Sequence, residues 1–316
     1  MTEIFDRETA AAAIDAPGTP EEHWAAWEEL AQLPVVRPPS GPVVVVAAHP
    51  DDEVLGFGGT MAQLTGAIHL VTITDGEGSH PHLPADRIAA MRAAELERAL
   101  GVLAPREHHT YRLHIPDTDV GAYERQLVRQ LGTLLRQTGA RLCVAPFTGD
   151  LHADHEAAGR AAAAAARQTG TPCWHYPVWM WHWAAPGDPR VPWSMARRLP
   201  LPAWAQARKQ AAIRRFRSQI SPLGGGTGPG GGPGTGSGPG PDLGPGPGPG
   251  SGPGRSGLNP RSGRAPGPGR DPGPDTGPAP DTGPAPTPTP VTDSNTVILP
   301  PAELAHHTRP FETVFT

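Results

Sequence analysis

Residues Val43 to Ala47 read Val-Val-Val-Val-Ala, apolar without interruption and opening directly after Pro42. A strand with one wet face alternates polar and apolar residues. A strand with no alternation is buried on both faces and needs a layer of helices on each side. The chain that follows has the elements for such a fold. Ala67–Thr74 reads as a second strand, His108–Ile115 as a weaker one, Arg141–Ala145 as a short one, and Thr171–Trp183 as extended and aromatic. Between them lie helical patterns: a stretch near Thr60–Leu64, then Pro84–Leu100, with Ile88, Met91, Leu96 and Leu100 near one face and Gly101 as its stop. Tyr123–Gln137, the Ala-rich His155–Gln168 and the basic Ala203–Gln219 follow. Strands alternating with helices over about 180 residues predict an α/β sandwich around a mainly parallel sheet.

The 316 residues suffice for one large domain. The apolar fraction, 37%, is depressed by 40 Gly and 42 Pro, most of them in Gly224–Pro290. That tract holds almost nothing apolar to offset its ordering entropy and is expected to be disordered. Apolar character returns at Val297–Leu299 and Phe311–Phe315, so the tract reads as an insertion late in one domain. The expected organisation is an N-terminal helical extension (1–40), a core (41–223), the insertion (224–290) and a C-terminal segment returning to the core (291–316). In the extension, Glu21–Leu33 has helical spacing, with Trp24 and Trp27 packing it onto the core.

The net charge of −5 argues against nucleic acid or an anionic membrane as partner. The acidic N-terminus has no signal-peptide pattern, and no apolar run approaches the ~20 residues of a membrane span, so the expected location is the cytoplasm. Cys143 and Cys173 are too few for a disulfide framework and read as two buried thiols.

Two polar clusters abut predicted strands, the place where open α/β sheets bind ligands. One is His49-Pro-Asp-Asp-Glu53, after the first strand. The other is Asp150-Leu-His-Ala-Asp-His155, after Arg141–Ala145. A hydrolytic metal site needs about three protein ligands, an open position for water, and a carboxylate to take that water's proton. His49, Asp52 and His155 make a two-His, one-carboxylate set. Asp51 is then left as base, His152 as donor to an oxyanion, and Asp154 as a brace for one of the histidines. Spacing alone does not choose between Asp51 and Asp52 as ligand, or between His152 and His155.

Ala47-Ala48-His49-Pro50-Asp51-Asp52-Glu53-Val54-Leu55-Gly56, with Gly58-Gly59, resembles the opening motif of the LmbE-like, or PIG-L-type, N-acetylglucosaminyl deacetylases. His152-Ala153-Asp154-His155 is similar to that family's second motif, with Ala153 where proline is usual. The resemblance implies a Rossmann-like three-layer fold and a single Zn2+, with Fe2+ as a possible substitute. It implies His49, Asp52 and His155 as ligands, Asp51 as general base and His152 as polariser of the substrate carbonyl. It further implies Arg92 and Asp117 as substrate contacts, and a small N-acylated sugar or glycoconjugate as partner. Plainer readings make Arg92–Glu95 a surface ion pair and Asp117 a turn residue. Lys209 and Ser218-Gln219 are also family-like, equally compatible with a structural role.

His80, His82, His108, His109, His306 and His307 lack a carboxylate at ligand spacing beside a strand end; the last four come as exposed-looking pairs. The run Trp174–Trp183 suits either a sugar platform or sheet packing. Two other functions fit parts of the pattern. One is an Fe(II) oxygenase built on the same ligand triad; the other is a non-catalytic sugar- or partner-binding module.

Overall fold

The computed structural model describes residue 14, residues 16–223 and residues 297–316. The tract expected to be disordered, Gly224–Pro290, lies outside the described residues. Seven strands form one sheet in the order β3-β2-β1-β4-β5-β7-β6. Strands β1 (Val43–Ala47), β2 (Ile68–Thr72), β3 (His108–Arg112), β4 (Leu142–Pro146) and β5 (Cys173–Tyr176) pair in parallel. Strand β7 (Phe311–Phe315) runs antiparallel between β5 and β6 (Ala196–Pro200).

The β1 run is buried on both faces because each face meets its own helical layer. Val43 and Val45 join Leu55, Phe57, Leu96, Leu100 and Phe216 on one side. Val44 and Val46 join Leu127, Leu131, Leu135 and the alanines of 157–166 on the other. Edge strand β3 is exposed along its length and rich in His and Arg, which explains its weak apolar signal and blunts an open edge.

The helices are α1 (Glu21–Ala26), α2 (Glu28–Gln32), α3 (Asp52–Met61), α4 (Ala85–Leu103), α5 (Glu124–Thr138), α6 (Ala153–Thr169), α7 (Met180–Trp183), α8 (Ala203–Ile213), α9 (Arg217–Ile220) and α10 (Pro301–His306). Several differ from the sequence expectation, each for a tertiary reason. Helix α3 starts at Asp52 rather than near Thr60 and runs through three glycines. A Cβ on Gly56 would lie 2.0 Å from the Tyr176 ring, so the helix keeps glycine there to let that ring in. Helix α4 does not stop at Gly101; it continues to Leu103, which is fully buried, and caps on Ala104 in the left-handed region (φ 47°). Burying Leu103 is worth about 2 kcal/mol, against roughly 1 for a glycine in a helix. The basic helix divides into α8 and α9 around the buried Phe216. The Glu21–Leu33 helix breaks at Trp27.

Trp24 is fully buried, ringed by Trp27, Trp181 and Trp193, so the N-terminal tryptophans pack this segment onto the sheet. His306 and His307, which read as exposed, are buried instead: His306 Nδ1 meets Glu21 Oε2 at 2.7 Å, and His307 Nδ1 meets the Leu55 carbonyl at 3.2 Å. Of the two thiols, Cys143 is buried and Cys173 only half-buried. Among the described residues no helix is long and apolar enough to cross a membrane.

Candidate active site

The chain leaves β1 for β2 and β3 on one flank, then returns to lay β4 against the other side of β1. The carboxyl ends of β1 and β4 are therefore the point where strand order reverses, and such points open a crevice. Both polar clusters sit on the loops that leave this crevice.

Asp52 closes the first loop. Its Oδ2 accepts the His49 backbone N–H at 2.8 Å, holding its carboxylate against the imidazole. In the second loop Leu151 takes a left-handed conformation (φ 57°), uncommon for a leucine, just before His152 and α6. His49 Nδ1 lies 3.2 Å from His155 Nε2. His155 Nε2 lies 3.3 Å from Asp52 Oδ1, and His49 Nδ1 lies 3.6 Å from Asp52 Oδ2. Donors about 2.0–2.2 Å from a tetrahedral ion stand about 3.3–3.6 Å apart. The two nitrogens, with one Asp52 oxygen facing each ring, therefore have spacings in the range of a metal site, and this triangle of two imidazoles and a carboxylate suits Zn2+ or Fe2+. His152 is close as well: one nitrogen from each of the three histidines lies within 4.8 Å of the others. Its Nδ1 is buried and has no hydrogen-bond partner.

Each imidazole of the triangle is braced from behind. His155 Nδ1 donates to Asp150 Oδ2 at 2.7 Å, which leaves Nε2 free to face the triangle. Asp150, fully buried, also accepts the backbone N–H groups of Val178, Trp179 and Met180 at 3.1, 3.0 and 2.8 Å. That grip turns the chain after β5 into α7, where the aromatic run had read as one extended segment. His49 Nε2 meets Asp117 Oδ1 at 3.0 Å and Asp154 Oδ2 at 3.3 Å. Asp154 is held in turn by the N–H groups of Thr118 and Val120. Sequence reasoning gave Asp150 no role; its signal was a carboxylate five residues before a candidate ligand on the same loop.

Burial alone would strip the protons from His49 and His155, but carboxylates outweigh it. Asp117, Asp154 and Asp52 hold His49 well above the usual imidazole range, and Asp52 and Asp150 push His155 up to about 9. His152, half-buried and desolvated beside these two positive rings, is pushed down to about 3 and is neutral. Burial also opposes charge on Asp52, yet His155 and His49 hold it well below the carboxylate range. Asp51 feels the same two imidazoles and Arg92, but they do not outweigh its burial. Burial and the neighbouring Asp52 raise it to about 6, against the pull of Arg92.

Arg92 is buried rather than on the surface, and it does not pair with Glu95. Its Nη2 lies 3.1 Å from Asp51 Oδ1, and its guanidinium donates to the Gly76 and Pro50 carbonyls. Glu95 instead accepts the Ser218 N–H and hydroxyl at 2.9 and 2.6 Å. Lys209 is buried against Glu312 at 2.7 Å, away from the triangle's contacts. Asp117 spends Oδ1 on His49 and Oδ2 on the Gly78 N–H.

A cavity of about 230 Å³ opens over the triangle, bordered by His49, Asp51, Asp52, His152 and His155, and by Arg92 and Asp117. Trp179 is the member of the aromatic run that reaches it; Trp174 and Trp181 are buried in the packing.

Residues 44–166 match the model of the PIG-L family, described as GlcNAc-PI de-N-acetylase. No curated protein matches the chain. Among solved structures, a conserved protein of Thermus thermophilus is similar at 27% identity and a TM-score of 0.43, over 56% of this chain and 79% of that one. The N,N'-diacetylchitobiose deacetylase of Pyrococcus horikoshii is similar at 22% identity and a TM-score of 0.46, over 65% and 81%. A zinc-inhibited form of the teicoplanin deacetylase is similar at 18% identity and a TM-score of 0.45, over 58% and 87%.

Proposed function

We propose, from the match of residues 44–166 to the PIG-L family model, that this chain is a metal-dependent hydrolase that removes an N-acyl group from an amino-sugar-like substrate. N-acetyl is the simplest such group. The observation that carries the reading is the cluster of His49 Nδ1, His155 Nε2 and the Asp52 carboxylate: the two nitrogens stand 3.2 Å apart, with Asp52 Oδ1 3.3 Å from His155 and Oδ2 3.6 Å from His49. A second carboxylate, Asp51, lies beside it and outside it.

His49, Asp52 and His155 would hold Zn2+, or Fe2+ in its place. Such an ion, when bound, acidifies water and polarises a carbonyl. Asp51 accepts the proton of the attacking water while the water oxygen bonds to the amide carbon. His152, neutral and with a nitrogen free, donates to the amide oxygen as negative charge develops there. The proton on Asp51 then passes to the amide nitrogen as the C–N bond breaks, so the products are a carboxylate and a free amine. Arg92 keeps Asp51 in place through its 3.1 Å contact. Arg92 and Asp117 border the cavity and belong to the proposed substrate wall. Asp150 and Asp154 act from behind, on His155 and His49.

The test is amine release from N-acylated glucosamines by protein stripped of metal and then reloaded with Zn2+ or Fe2+. Release that depends on reloading is the expected result. Loading at one equivalent without amine release from any N-acyl sugar would overturn the reading.

A further inference from the structure

The cavity has two different walls. Gly78, Ser79, Asp117 and Thr118 border it from the loops that follow β2 and β3. Leu55, Val178, Trp179, Ile298 and Leu299 border it from α3, from the turn after β5 and from the C-terminal segment. Leu55, Val178 and Leu299 are almost fully buried members of one core cluster, Trp179 and Ile298 are partly buried and pack against that cluster, and Gln219 borders the cavity as well. Leu299 is held in place by its N–H, which donates to the Gln219 carbonyl at 2.8 Å. In the sheet order β3-β2-β1-β4-β5, the loops carrying the triangle leave β1 and β4, between the polar flank and the β5 flank.

An amide centred on the triangle must send its two substituents in opposite directions, because the planar amide holds them apart. Hydroxyls of a sugar on the amine side match the flank with a carboxylate, two side-chain hydroxyls and exposed backbone. The acyl group is left facing the apolar flank. A lone acetyl methyl would cover little of Trp179 and Ile298, the partly buried members of that flank, and would leave them wet, at a cost proportional to their area. We infer that the preferred acyl group is longer than acetyl: a short aliphatic chain seated against Leu55, Val178, Trp179, Ile298 and Leu299. The cavity, about 230 Å³, must also admit the amide and the adjoining sugar atoms, so the chain is short and not a lipid tail. Val178, Trp179, Ile298 and Leu299 lie outside residues 44–166, so the family match does not dictate this wall. The inference rests on the hydrolase reading for its reaction, but on the wall for its content.

The experiment compares acetyl-, butanoyl- and hexanoyl-glucosamine with the full chain loaded with Zn2+. The expected kcat/KM rises about threefold to fourfold for each methylene buried on the wall. Ile298→Ser and Trp179→Ala should each lower the hexanoyl-to-acetyl ratio by about tenfold, with Tm and metal content confirming that the variants fold. A wild-type ratio at or below one overturns the inference, as does a ratio that neither substitution changes. If no member of the series turns over, the hydrolase reading fails separately. The wall is then judged by the Kd of the same three compounds, measured by calorimetry, and a Kd independent of chain length overturns it.

Discussion

The His49 and His155 rings lie 5.2 Å apart, centre to centre, and they are braced in different ways. His155 leans on one carboxylate from its own loop, Asp150, five residues earlier, at 2.7 Å. That carboxylate is itself saturated by three backbone N–H groups from the turn after β5. His49 leans on two carboxylates from distant parts of the chain, Asp117 and Asp154, at 3.0 and 3.3 Å. One brace is local, single and short. The other is long-range, doubled and looser. A local brace can form as soon as its loop closes, whereas the doubled one needs the β3 loop and α6 in place. The cost of losing a brace should follow the same division.

Four experiments test that division, and the largest effect comes from the group neither brace touches. Asp51→Ala should lower kcat by roughly 10²–10⁴-fold while metal content stays at the wild-type level. Wild-type turnover in this variant would remove Asp51 from the role of base, and lost metal would make it a ligand. Next is the single brace. Asp150→Asn should weaken metal affinity about 10–100-fold in a chelator competition, because His155 loses the acceptor that fixes its ring. Unchanged affinity would mean that His155 needs no brace.

The doubled brace should give smaller effects one at a time. Asp117→Asn and Asp154→Asn are each expected to weaken metal binding by only a few-fold. The double variant should fall further than the product of the two, because contacts that share one partner are not additive. Simple additivity would show that only one of the two carboxylates supports His49.

The smallest effect belongs to a comparable pair outside the triangle, behind the cavity wall: the His182 and Trp179 rings lie 5.8 Å apart. His182 Nδ1 meets Glu303 Oε1 at 2.6 Å, tying α7 to α10. The hydrogen bond from Glu303 raises the His182 pKa, with burial opposing it. A raised imidazole contributes stability that is fully present below its unfolded value near 6.5 and is lost as pH rises through the folded value. Thermal melts should therefore show a slight loss of stability across that window, smaller than the effect of any substitution above. Glu303→Gln should lessen the pH dependence, leaving the part carried by His49 and His155, and a variant that keeps all of it would assign the effect to another group.

Much of this molecule was legible in the residues alone. The unbroken run Val43–Ala47 required cover on both faces and obtained it from α3, α4 and α8 on one side and α5 and α6 on the other. The spacing of strands and helices placed both polar clusters at strand ends, because a parallel sheet delivers its loops to one edge. Local patterning misled where packing outweighed propensity. The helix after β1 read as starting near Thr60 and Gly101 read as a stop, but one helix runs through Gly56, which admits the Tyr176 ring, and the other runs past Gly101 to bury Leu103. Strand β6, with Arg197 and Arg198 at its centre, had too little apolar signal to be read as a strand.

The sequence by itself determined the chemistry on offer: imidazoles and carboxylates in two clusters, each following a strand, with one family resemblance to rank them. Only the tertiary structure decided how those groups divide the work. Asp51 and Asp52 are neighbours of the same type, and nothing local separates them. They differ because Asp52 faces two imidazoles while Asp51 faces Arg92, forty-one positions along the chain. His152 and His155 differ because only one of them has Asp150 behind it. Ile298 joins the cavity with 78 residues of chain between it and Gln219, the lining residue before it. Residue type and spacing carry what a side chain can do, while its partners come from chain segments that meet only when the sheet closes.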